Sequence, residues 1–155
     1  MIRAATAADT PVLIEMGRAL HDESKRYSER GFAPEKLEAL ARSLFGTATT
    51  EGEGGAFVAA KDGKVIGMLI GFVREQWFSY DKLASDYTFY VRPEHRGSMA
   101  AVRLIKAFEA WAISKGAVDI LPGVSTMIAS ERARDLYLAL GYEHYGYSML
   151  KKVKR

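Results

Sequence analysis

The chain has 155 residues, 48% of them hydrophobic and 26% charged, with no cysteine and a formal net charge of +3. That length suits one domain over residues 1–155 with a core of its own, and the composition argues against disorder or a fibrous fold. The absence of cysteine excludes disulfides, thiolate zinc sites and cysteine nucleophiles. No basic stretch leads into a long apolar run at the N-terminus, and no run is long enough to span a bilayer, so a cytoplasmic protein with no membrane contact is expected. Basic charge is dispersed apart from the tail at residues 151–155. Without a recognised motif beside it, nucleic acid is not expected as the main partner.

Residues 2–5 read as a short strand. Thr10 followed by Pro11 reads as a cap with proline at the first helical position, opening a helix over residues 11–25 with Val12, Leu13, Met16, Ala19 and Leu20 at helical spacing. Pro34 opens a second helix through Leu44, and a Gly- and Thr-rich loop follows at residues 46–55. Residues 56–60 and 64–73 flank Asp62 and Gly63, a pair suited to the positive φ of a tight hairpin. Trp77, Phe78 and Tyr80 fall in the connection to the next strand, residues 86–91.

A helix over residues 98–115 carries Ala101, Leu104, Ile105, Phe108, Trp111 and Ala112 on one face and ends at Gly116. Residues 118–121 form a short strand. Ser130 caps a last helix with Ala133, Leu136, Tyr137 and Leu140 on its inner face, and residues 142–153 read as one or two strands. The order β-α-α-β-β-β-α-β-α-β describes one mixed α/β domain without internal repeats.

The turn between residues 91 and 98 has a chemical character of its own. It is basic, contains Gly97 and runs directly into a helix, whose first N–H groups and positive dipole end make an anion site. Arg92, Arg96 and Arg103 are expected to add charge near the same helix start. A phosphate-bearing ligand is the expectation.

The stretch from Tyr90 through Arg96, Gly97, Ser98, Met99, Ala100 and Ala101 resembles the acetyl-CoA motif of the Gcn5-related N-acetyltransferases, in which Arg or Gln is followed by x-x-Gly-x-Gly/Ala. Ser130 through Tyr142 is similar to the family's second motif, commonly Asn-x-x-Ala-x-x-x-Tyr followed by Leu-Gly-Phe, and the element order agrees. The resemblance covers essentially the whole chain. It implies a mixed, mainly antiparallel sheet with a splayed central strand pair, flanked by helices. The activity it implies is transfer of acetyl from acetyl-CoA to a primary amine, by direct attack in a ternary complex.

By the same resemblance, Arg96 and the N–H groups of Gly97, Ser98, Met99, Ala100 and Ala101 bind pyrophosphate, and Val91 N–H supports the acetyl carbonyl. Tyr137 protonates the departing thiolate, and Ser130 and Tyr137 contact the cofactor arm. Met99 stands where the family usually has glycine, and Ser130 where Asn is more frequent. Dimers are frequent in the family, so a homodimer is allowed.

An acceptor ammonium must lose a proton before it attacks. The sequence singles out no base among Asp86, Glu23, Glu75, His21, His95 and His144, and ordered water is an alternative. Residues 21–32 and 77–80 are expected to line the acceptor site, with Asp81, Asp86 or Glu23 attracting its charge. The acceptor is a small molecule or a peptide. Aminoacyl-tRNA, as in toxin members of the family, or a non-catalytic acyl-CoA-binding or interaction module remain as alternatives. Three His and no Cys leave no metal site expected.

Overall fold

The computed structural model describes residues 1–45 and 53–153. Five strands, Ile2–Ala4 (β1), Glu53–Lys61 (β2), Lys64–Gln76 (β3), Ser79–Val91 (β4) and Ala117–Leu121 (β5), form one sheet in sequence order. Pairing is antiparallel from β1 to β4 and parallel between β4 and β5. The helices are Thr10–Glu23 (α1), Pro34–Leu44 (α2), Ala100–Ser114 (α3) and Ser130–Ala139 (α4). This is the mixed, mainly antiparallel sheet with flanking helices that the resemblance implies.

Alternation along β3 divides the core. Leu69 and Val73 face a cluster with Leu104, Ile105 and Phe108 of α3, while Met68 and Ile70 face Leu13, Met16 and Leu20 of α1. Covered on both sides, β3 reads as a nearly continuous apolar run. Asp62 and Gly63 take φ of 50° and 76° in the β2–β3 turn, as a tight hairpin requires. At the sheet's other edge, Arg3 clamps Asp9 through two hydrogen bonds of 2.8 and 2.9 Å, and Thr6 N–H donates to the same carboxylate at 2.7 Å. This ties β1 to the start of α1 and holds the Asp9 carboxyl down at about 2, chiefly through the Arg3 hydrogen bonds.

Four expectations change. First, β4 begins at Ser79, so only Trp77 and Phe78 make the turn and Tyr80 lies in the strand. Its early residues Tyr80, Asp81 and Lys82 are all exposed, so the apolar alternation that marks a half-buried strand is missing there. Second, Glu53, Gly54 and Gly55 belong to β2 rather than to the preceding loop, whose residues 46–52 lie outside the described ones.

Third, residues 142–153 form no strand. Tyr145, Tyr147 and Met149 alternate as a strand would, yet all three are exposed, and the segment lies on no sheet edge. An alternating pattern makes a strand only where a ladder receives it. Fourth, Ser130 does not cap α4: the cap position is Ala129, at φ 45°, and no side chain bonds the helix start.

Candidate active site

The site begins where β4 and β5 part. Their pairing runs from Lys82 to Ser85 and stops. Ser85 Oγ donates to Leu121 O at 2.8 Å, and Gly123 N–H donates to Asp86 Oδ1 at 2.9 Å, just as the chain after β5 turns away. Tyr87 is an extra residue in β4, since Asp86 pairs with Gly71 while Thr88 pairs with Ile70. Such a bulge twists the strand and re-aims its side chains. Beyond it, residues 86–91 have β3 on one side and no strand on the other. A cavity of about 550 Å³ fills that gap.

Antiparallel pairing decides which backbone groups face the cavity. Arg92 N–H donates to Ile66 O at 2.9 Å, so Arg92, Tyr90 and Thr88 exchange bonds with β3. The alternate residues, Val91 and Phe89, therefore direct their N–H and C=O groups toward the gap. Arg96 Nε donates to Val91 O at 2.9 Å, leaving the Val91 N–H open on the same side.

The turn from β4 to α3 forms the cavity's basic end. Gly97 has φ 87°, which only glycine adopts readily. Ser98 Oγ donates to His95 O and accepts from Ala100 N–H. Among the described residues, the N–H groups of Gly97, Met99, Ala101 and Val102 meet no protein acceptor. Met99 is half exposed and sits at φ −75°, ψ −1°, a conformation open to any residue, so glycine is not needed there.

The three arginines do not act together. Arg92 turns to Val65 O and Glu15 on the far side of the strand end. Arg96 clasps both carboxylate oxygens of Glu23 and lies over the Tyr90 ring, so its charge is already neutralised. The clasp also holds Glu23 below the usual carboxylate range. Arg103 is exposed and outside the cavity lining. The cation the sequence reading missed is Arg132, in the first turn of α4. It lines the cavity, and a Cβ on Gly97 would sit 3.1 Å from its Nη2. It makes no hydrogen bond or ion pair among the described residues. Reading the starts of α3 and α4 as converging on one end of the sheet would have found it.

Tyr137 is buried, with its ring against Phe89 and Tyr142, yet it lines the cavity and its hydroxyl bonds no described residue. Burial, and then the negative groups Asp86, Tyr142 and Glu109, push its phenol well above the ordinary 10. Burial likewise raises the Asp86 carboxyl, against the pull of the Gly123 N–H.

Among the carboxylates suggested to draw an amine, Asp86 alone lines the cavity: Glu23 is paired and Asp81 lies on the exposed part of β4. Glu75 and His144 are exposed and outside the lining, His95 lines a separate cavity beside Arg92, and His21 bridges Asp22 and Arg30 O. Of residues 21–32 only Tyr27 reaches the lining. Trp77, Phe78 and Tyr80 stand exposed at the tip of the β3–β4 hairpin and take no part in it. Ser130 also lies outside it.

The site is thus a strand pair that opens beside a helix N-terminus, with a buried phenol between. The model of the acetyltransferase (GNAT) family matches residues 17–142, and the chain belongs to that family. Solved structures with the same fold include an aminoglycoside acetyltransferase from an uncultured soil metagenomic sample in complex with sisomicin, 21% identical, with a TM-score of 0.72 over 99% of this chain and 96% of that one. A ribosomal-protein-alanine N-acetyltransferase from Brucella melitensis biovar Abortus 2308 is 17% identical, with a TM-score of 0.73 over 99% of both chains. An acetyltransferase from Trypanosoma brucei is 16% identical, with the same score and coverage. No curated protein matches the chain in sequence.

Proposed function

We propose that this acetyltransferase moves an acetyl group from acetyl-CoA to a primary amine while both are bound. One observation carries the reading: the open Val91 N–H, the Tyr137 hydroxyl and the unpaired N–H groups at the start of α3 line one cavity. Acetyl-CoA supplies the activated acyl group as a thioester, and its pyrophosphate suits N–H groups at a helix start. Arg132 adds positive charge there, and Arg96 braces the turn through Glu23 and Val91 O. Val91 N–H donates to the carbonyl oxygen as negative charge builds, a contribution of about 3 kcal/mol for one such donor.

Asp86 receives the acceptor's ammonium, and the neutral amine attacks. Tyr137, held protonated by its burial, donates to the sulfur as the C–S bond breaks. One amine proton thus ends on the thiol by way of the phenol, and one leaves to solvent. The solved relatives are named for aminoglycoside and protein amines, which supports an amine acceptor of some kind. Met99 in the family's glycine position would favour a non-catalytic module, and its ordinary backbone weakens that alternative. The Cys-free sequence fits a reducing cytoplasm.

Calorimetric titration with acetyl-CoA, followed by thiol release over a panel of amines, tests the reading. Saturable binding and amine-dependent thiol release are expected. Binding without release for every amine would point to a sensor, and no binding would overturn the proposal.

A further inference from the structure

The charge around the cavity bears on which amine it accepts. Its charged lining residues are Asp86, Arg96 and Arg132, one acid and two bases. The two arginines stand at the starts of α3 and α4, whereas Asp86 lies at the other end, held by Gly123 N–H. The cavity is lined besides by Leu20, Tyr27 and Ile128, with Tyr90 under Arg96, and Thr88 lies two residues along β4 from Asp86.

Among the described residues Asp86 is the one carboxylate in the lining, and Glu109, which also acts on Tyr137, accepts from the Tyr142 hydroxyl at 2.8 Å. The acids on α1 and in the turn after it are committed, Asp22 to His21, Glu23 to Arg96 and Glu29 to Lys152. The rim instead carries Arg26, stacked on the Tyr27 ring and donating to Ser125 O at 3.1 Å. A buried ammonium needs its own counterion, and an unpaired one is costly. A polycation would bring charges that this end leaves unpaired and would meet Arg26 on the way in.

Taking the acetyltransferase reading as given, we infer that the acceptor is a small monoamine, its single ammonium on Asp86 and its apolar or aromatic body against Leu20, Tyr27 and Ile128. Polyamines and aminoglycosides are excluded from the role, although aminoglycoside acetyltransferases share the fold.

Thiol release from acetyl-CoA is measured with 2-phenylethylamine, spermidine and sisomicin as probes. The aromatic monoamine is expected to exceed both polycations in kcat/KM by about tenfold or more, since each extra ammonium enters without a partner. Asp86→Asn is expected to lower its kcat/KM by about 30-fold or more while calorimetric acetyl-CoA affinity holds. Asp86→Glu, which keeps the charge, should preserve the ranking. If Asp86→Asn does not fold, the wild-type ranking decides alone. Preference for spermidine or sisomicin overturns the inference and leaves the acetyltransferase reading standing. Thiol release with none of the three, while acetyl-CoA binds, overturns the inference alone, and absence of acetyl-CoA binding overturns the acetyltransferase reading as well.

Discussion

The two ends of the cavity are built on different plans. The end at α3 is made of consecutive residues, with a turn fixed by Gly97 at φ 87° and N–H groups that a helix start leaves unpaired by geometry alone. The end at Asp86 is made of side chains from α1, the turn after it, β4 and the loop after β5, held together by Ser24 Oγ on Thr126 O and Arg26 on Ser125 O. The first plan tolerates changes of side chain, because backbone does the binding. The second gives each side chain a separate task.

Substitutions sharpen that contrast, and Tyr137, between the ends, has the largest effect. Tyr137→Phe should lower turnover by about 100-fold or more, as loss of a general acid does, with little change in acetyl-CoA affinity. Steady-state kinetics beside calorimetry separates the two quantities. Equal loss in both would make Tyr137 a packing residue.

Asp9, remote from both ends, provides a control. Its folded carboxyl titrates at about 2, below the ordinary 3.8, so the Arg3 clamp stabilises the fold above about pH 4 and is lost as pH falls toward 2. Asp9→Asn should cost about 2 kcal/mol in urea unfolding at pH 7, with the difference from wild type closing at low pH. Thiol release under folded conditions should be unchanged.

Changes at the α3 end should be milder. Arg132→Ala is expected to weaken acetyl-CoA about tenfold, the scale of one charged hydrogen bond to phosphate. Met99→Gly should alter that affinity by less than about threefold, because residue 99 already has an ordinary helical backbone. A large gain on Met99→Gly would show that the side chain obstructs the cofactor.

The same contrast explains what could be read from the sequence. Sheet, helices and the α3 turn follow from local signals: Pro11 and Pro34 opening helices, Asp62 and Gly63 turning a hairpin, and an apolar stripe along α3. Asp86, Tyr27 and Ile128 line one cavity only because β4 carries a bulge and β5 departs, and neither event has a sequence period. Arg96 shows the limit of the local reading, since its place in the motif is right while its charge is bound to Glu23, far away in the chain. Residue type alone points the exposed aromatics Trp77 and Tyr80 toward the acceptor site, whereas the hairpin carries them away from the cavity.

In the proposed reaction both ends are filled together and the acetyl group passes directly between them. Initial rates measured over a grid of acetyl-CoA and amine concentrations test it most directly. Intersecting double-reciprocal lines are expected for a ternary complex, and parallel lines, the mark of an acetylated enzyme intermediate, would contradict it.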